Sequence, residues 1–341
     1  MPESELLSSY EYQLIAKTVN TTFLKELIQM VNYNEILKTP VLFLVFNRPS
    51  CTEKVFKAIA AARPSKLYVA ADGARSNRIG ETDLCAQVRS IATKVDWECE
   101  VETRFQSENL GCREAVSGAI DWFFEHEEEG IILEDDCLPS VYFFEYAATA
   151  LARYRDNPRV MHIGGINFQS RDKTAEKAYY FSNIPQIWGW ATWRRAWRRY
   201  DREFTRLPGF VTSGRWRELD DDIDICYFWI RCFYIAWSGK VDSWGYRWMF
   251  SVLENNGLSV SPAVNLIENI GFSDDATHTK TGFTLGLPTE KDIIDLKSLP
   301  APADEVVDRI QDDSVFKEIW HTKADNVFFL WRLKKLIRRR Y

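Results

Sequence analysis

Three consecutive carboxylates, Glu134, Asp135 and Asp136, follow directly on the apolar run Gly130-Ile131-Ile132-Leu133. Side by side they repel one another, and they stay ionised together only where cations, solvent or hydrogen-bond donors offset the charge. A hard divalent cation such as Mg2+ or Mn2+ does this with one or two carboxylates and takes further oxygens from a substrate's phosphates. Such a site serves the departure of a phosphate-bearing leaving group, whose developing charge the cation neutralises. Taken alone, the triplet also reads as a solvated acidic turn after a strand.

The elements around the triplet give it a setting. Val41 to Phe46 is a continuous apolar run, the mark of a strand buried on both faces, and it stops at Asn47-Arg48-Pro49. A helix is expected over 51–62. A second strand, 66–71, stops at Asp72-Gly73. A helix over 81–94, a short strand over 99–105 and a helix over 111–127 lead into the strand that ends in Glu134. This alternation predicts an α/β fold, an open and mainly parallel sheet with helices on both faces. Ligands bind beyond the carboxyl ends of such strands, so Arg48, Asp72 and the acidic triplet should share one rim. Beyond it a helix is expected over 141–155, a short strand over 160–163, an acidic helix over 220–237 and strand-like segments over 258–272. No internal repeat breaks the chain.

Composition narrows the classes. The 341 residues are 46% hydrophobic and 27% charged, an ordinary globular balance, and the net charge is −6. That charge argues against nucleic acid as the main partner. Aromatics stand out at 14%, with 13 Trp, which suits stacking on sugar faces as well as core filling. Seven scattered Cys without a C-x-x-C pattern favour a reducing compartment over a disulfide framework or zinc site. The first twelve residues lack the basic and apolar regions of a signal peptide, and no apolar run approaches the roughly 20 residues of a membrane helix. A cytoplasmic protein, soluble or peripheral on the inner face of the membrane, is the expectation.

Ile131 to Pro139, followed by Phe143-Phe144-Glu145-Tyr146, resembles the E-D-D segment of GT-A glycosyltransferases. The resemblance is to the N-acetylglucosaminyltransferase I family and to related bacterial sugar transferases, and it covers about residues 40–200. It includes an arginine after the first strand, Arg48, and an aspartate after the second, Asp72. The resemblance implies a GT-A-like (Rossmann-like) sheet and a metal-dependent transferase that uses a nucleotide-sugar donor, expected to be a UDP-sugar. By it, Asp136 is the direct metal ligand, Asp135 contacts the ribose or a metal-bound water, and Glu134 orders the site. Asp72 accepts from the uracil N–H, and Arg48 lies near the base or phosphates. Read without it, Arg48 is a surface ion pair and Asp72 a turn residue before Gly73.

Further candidates follow. Arg113 and the backbone of Asn109 to Cys112 open a helix, where N–H groups could face a diphosphate; a capping turn is the plainer reading. Trp188, Gly189 and Trp190 lie where the resembling family has a glycine-containing loop near the donor sugar, while Trp193 and Trp197, four apart on an expected helix, read as core. Asp242 is the candidate base for the acceptor hydroxyl, with a helix N-cap as the alternative and Asp220, Asp221, Asp222 and Asp224 as rivals. His278 is a candidate third metal ligand. The segment 328–341 is basic and amphipathic, fit for an anionic membrane surface or for docking on the core.

The expected organisation is a helical arm over 1–38, a GT-A domain over 39–290 (nucleotide-binding half 39–139, acceptor half 140–290) and a helical extension over 291–341. The function expected is hexosyl or N-acetylhexosaminyl transfer, with inversion, to a glycan or lipid-linked glycan. A sugar-1-phosphate nucleotidyltransferase needs a glycine-rich basic loop after the first strand, and Phe46 to Ser50 has no glycine. A non-catalytic glycan-binding protein would leave the acidic rim without a task.

Overall fold

Val41–Val45 (β1) is buried at every position, as a strand covered on both faces must be. The computed structural model to which it belongs describes residues 37–168, 177–271, 287 and 300–320. Pro49 opens α1 (Pro49–Ala62), where its missing N–H would have no helical partner anyway, and Arg63 ends the helix in the left-handed region at φ 49°. The chain continues through β2 (Lys66–Ala71), α2 (Glu81–Ala92), β3 (Glu100–Phe105), α3 (Cys112–His126) and β4 (Glu129–Glu134). Then come β5 (Cys137–Pro139), α4 (Val141–Tyr154), β6 (Val160–Gly164), β7 (Tyr179–Ser182), β8 (Trp190–Trp193) and α5 (Arg194–Trp197). The last described elements are α6 (Leu207–Ser213), α7 (Ile223–Trp237), α8 (Gly245–Glu254), β9 (Leu258–Pro262), β10 (Ile267–Asn269) and α9 (Arg309–Trp320).

Eight strands form one sheet in the order β3-β2-β1-β4-β8-β6-β9-β7. β3, β2, β1 and β4 are mutually parallel, and so are β6 and β9. β8 is antiparallel to both of its neighbours and β7 to β9. The expected α/β class with a GT-A-like open sheet is present, and the sheet turns mixed beyond β4. Helices α1, α2 and α4 cover one face. Helices α3, α5 and α8 cover the other. Trp193 ends β8 instead of sharing a helix with Trp197, yet both are buried, as their core reading requires. The expected arm over 1–38, apart from Leu37 and Lys38, lies outside the described residues, as do His278 and 328–341. No described helix is long and apolar enough to cross a membrane.

His162 sits in the middle of this mixed half, fully buried on β6. Trp248 donates its indole N–H to Nδ1 at 3.1 Å, so Nε2 carries the proton and donates to the Gln186 carbonyl at 2.9 Å. The ring stacks on Trp190 at 5.0 Å. Burial penalises the charged imidazole and lowers its pKa from 6.5 to about 3. Above pH 6.5 neither the folded nor the unfolded chain binds this proton. Below it only the unfolded chain does, so stability is lost as pH falls from 6.5 towards 3. Between pH 6.5 and 5 the loss should be about 1.5–2 kcal/mol. Asp312, whose carboxyl is raised to about 7 by burial, acts in the opposite sense by a comparable amount, so the slope appears in the difference between wild type and a histidine variant. Denaturant unfolding of wild type and His162→Gln at both pH values isolates the histidine, because Gln can keep a donor and an acceptor. Parallel slopes would show that His162 is not the group being protonated.

Candidate active site

Strand register sets the site. Val45 pairs with Ala71 and Leu44 with Glu134, so β1, β2 and β4 end at one level. Residues 46–48, 72–73 and 134–136 therefore meet on one rim, and a cavity of about 490 Å3 opens there. Arg48, Asp72, Glu134, Asp135, Asp136 and Asp242 all line it.

Arg48 is the centre of the acidic rim. Its Nη2 lies 3.1 Å from Asp135 Oδ1 and its Nη1 donates to Asp136 Oδ2 at 2.9 Å. Asp135 also accepts from the Phe46 N–H at 3.2 Å. Burial works against the Arg48 cation, but Asp135 and Asp136 outweigh it and hold its pKa above the ordinary value. Burial pushes the Asp135 carboxyl up, more than Arg48 pulls it down. Glu134 is also raised, by burial and then by the charges of Asp136 and Asp135. The rim is thus short of positive charge, and one guanidinium offsets only part of it.

A divalent cation fits this donor set. Asp136 Oδ1 receives only a long contact from the Cys137 thiol at 3.4 Å, which leaves a hard oxygen available. Among the described residues no group of three or more His, Cys, Asp or Glu could hold a metal by itself. The fit is for an ion that arrives with substrate phosphates, held by Asp136 with Asp135 beside it.

Gly271 closes the rim from behind. A Cβ there would stand 2.5 Å from Asp136 Oδ2 and 2.7 Å from Arg48 Nη1, closer than real Cβ contacts come. Gly271→Ala should displace the Arg48–Asp136 pair while leaving the sheet intact. We expect a loss of roughly 10- to 100-fold in turnover, the scale of an ångström of misplacement. Unchanged activity with an unchanged melting temperature would show that the pair's position is not needed.

The other expected residues divide. Asp72 is not free to receive a base N–H. Its Oδ1 accepts from Gly73 N at 2.8 Å and Leu110 N at 2.9 Å. Its Oδ2 accepts from Asn109 Nδ2 at 2.9 Å and Gly111 N at 3.1 Å. Four donors use the carboxylate's four lone-pair sites, so the uracil role is corrected to that of a clamp on the loop before α3. Burial nonetheless raises the Asp72 carboxyl above its usual range.

Trp190 is likewise corrected. It is fully buried on β8, stacked on Trp244 at 5.6 Å, and cannot meet a sugar face. Gly189 (φ 60°) also packs inward, since a Cβ would stand 2.4 Å from Ile267 Cδ1. Trp188 does line the cavity. Arg113 does not line it; its Nε pairs with Glu114 at 2.8 Å and lies 3.8 Å from Asp242. Asp242 stands half-exposed at the mouth and does not cap α8, which starts from Trp244; its Oδ2 instead accepts from the Arg113 N–H in the first turn of α3 at 3.5 Å. Two of its four rivals have structural work, since Asp222 caps α7 by accepting from Asp224 N and Asp220 pairs with Arg309, and none of the four lines the cavity.

The structure adds residues that sequence reasoning missed. Arg75 is held by Glu81 and lies over the Phe46 ring at 5.4 Å. Glu81 also accepts from Asn47 Nδ2 at 2.9 Å, which ties the β1 turn to α2. Arg104 on β3 reaches the cavity as well. Its sequence signal was no more than a cation in the short strand expected over 99–105.

No protein-family model matches the chain, and no curated protein matches it. Two solved structures are similar over part of their length. One is a mannosyltransferase from Pyrobaculum calidifontis in complex with GDP-Man and Mn2+, 16% identical, with a TM-score of 0.35, covering 50% of this chain and 49% of that one. The other is a UDP-glucose pyrophosphorylase complexed with UDP-glucose, 9% identical, with a TM-score of 0.25, covering 44% of this chain and 63% of that one. The chain thus spans less than two thirds of either. Likenesses of this extent say nothing about the chemistry of this chain. Neither protein is an N-acetylglucosaminyltransferase I, and that resemblance stays with the motif residues.

Proposed function

We propose that the chain is a glycosyltransferase that takes a sugar from a nucleoside-diphosphate donor, a UDP-sugar first, and passes it to a glycan or glycolipid. The observation that carries this reading is the pair Asp135–Asp136, bridged by Arg48, on the carboxyl rim of a parallel sheet and facing a cavity of about 490 Å3. A Mg2+ or Mn2+ ion bound there would neutralise charge on the departing diphosphate. Arg48 holds the two carboxylates in place and offsets part of their mutual repulsion. Asp242, at the mouth, takes the proton of the acceptor hydroxyl as that oxygen attacks the anomeric carbon from the face opposite the diphosphate, which inverts the centre. Trp188 offers an aromatic edge to the sugars between them.

The β1 turn speaks against nucleotidyl transfer. Phe46 gives its N–H to Asp135 and Pro49 has none, so the turn has few donors with which to cradle a triphosphate. A thermal-shift screen of nucleotide sugars with and without Mn2+ tests the proposal. A metal-dependent rise with one nucleotide sugar is expected, and no shift with any of them would reject it.

A further inference from the structure

Parallel register places four residues in one row across the sheet: Arg104 on β3, Ala70 on β2, Leu44 on β1 and Glu134 on β4. Residues paired in register point to the same face, here the face covered by α3. Neighbouring strands lie about 4.8 Å apart, so the row runs roughly 14 Å from a cation at one end to an acid at the other. The two residues between them are small or aliphatic. So are Ala115, Val116 and Ala119 of α3, which face them across the cavity. Below the polar rim the cavity is therefore a slot with an apolar floor, an apolar roof and an ionisable side chain at each end.

Arg104 is the unusual member. Its Nε is buried without a hydrogen-bond partner, and among the described residues its guanidinium makes no ion pair. Its Nη2 lies 4.0 Å from where a Cβ on Gly118 would stand, so the group points along α3. A buried donor left unpaired is destabilising. A ligand that accepts from it would recover that cost. The slot walls suit a flat ring with apolar faces, and the guanidinium suits acceptor atoms on that ring's edge. Phosphate charge would be met elsewhere, by Arg48 and by a cation held on the carboxylate rim.

We propose that Arg104 is a nucleobase-reading residue: the slot between β1–β3 and α3 takes the base of the nucleotide, and Arg104 donates to a carbonyl oxygen on its edge. This rests on the nucleotide-sugar reading of the cavity, and it reads the base through a donor to its carbonyl oxygen, a contact different from the acceptance of a base N–H that Asp72 cannot provide. Uracil and guanine present such oxygens; adenine presents none.

Calorimetric titration of the full chain with Mn2+ and UDP, GDP, ADP or inorganic pyrophosphate tests it, using wild type, Arg104→Met and Ala115→Leu. The first variant removes the donor from a half-exposed edge strand, and the second fills the slot from its roof. Affinity for the preferred nucleoside diphosphate should fall about tenfold or more in both variants, the scale of one charge-assisted hydrogen bond. Pyrophosphate, which has no base, should bind all three proteins within twofold, and ADP should bind wild type more weakly than UDP or GDP. If Arg104→Met does not fold, Ala115→Leu carries the test. Nucleotide affinity unchanged in the variants would overturn the assignment and leave the transferase reading standing. A parallel loss for pyrophosphate would place Arg104 on the phosphates and overturn it too. Wild type that binds no nucleotide at all would remove both.

Discussion

Asp136→Ala should abolish the Mn2+-dependent stabilisation by a nucleotide sugar and lower kcat/KM about 10²- to 10³-fold, the scale of losing one strong electrostatic contact to a leaving group. The fold should survive, because Asp136 lies at a strand end and its partner Arg48 keeps Asp135 at 3.1 Å. Asp136→Asn separates charge from shape. It retains an oxygen for Arg48 but presents no carboxylate to a cation, so it should be nearly as inactive. The readouts are steady-state rates and the shift in melting temperature with and without Mn2+. More than a tenth of wild-type activity in Asp136→Ala would remove this carboxylate from the machinery.

Asp72→Ala should have its main effect on stability. The substitution strips partners from three backbone N–H groups and the Asn109 amide at once. Each hydrogen bond to a charged group contributes about 1.5–3 kcal/mol, but the carboxylate is half-buried and water will replace part of it. A net loss of about 2–3 kcal/mol is expected, which lowers the melting temperature by roughly 5–10 °C in a domain of this size. Asp72→Asn, which retains one acceptor oxygen, should fall between the two. A base-reading aspartate would behave the other way, with an unchanged melting temperature and weaker nucleotide binding, and that result would restore the role the family resemblance gave it.

These two residues mark what could be read from the chain. Asp136 was visible because a parallel sheet puts its strand ends on one side, and apolar runs that stop at polar residues show where the strands end. Asp72 was visible as a rim residue for the same reason. Its occupation was not, since three of its four partners are 37 or more positions away and belong to a loop whose path depends on how α3 packs. Trp190 shows a second limit. A strand buried on both faces has no polar alternation, so nothing in Trp190 to Trp193 tells which side chains face a ligand and which face the core. Gly271 fell within the strand-like segments expected over 258–272, but its contact with the Arg48–Asp136 pair exists only because β10 pairs with β5 beside the acidic turn. Arg104 was hidden by exposure: β3 reads as a solvated strand, and only its register with β2 turns that one side chain to the cavity.

Among the described residues, β3 is the outermost strand on its side of the sheet and has one neighbour, β2. Substitutions there disturb few packed partners and fall in the mild class of surface changes. The charge-handling rim is different, because Arg48, Asp135, Asp136 and Gly271 interlock and change one another when altered. A lineage could therefore retune its choice of donor by drifting at position 104 while the bond-breaking apparatus stays fixed. For protein engineering the same asymmetry makes a saturation library at Arg104 and its slot neighbours the economical route to altered donor selectivity.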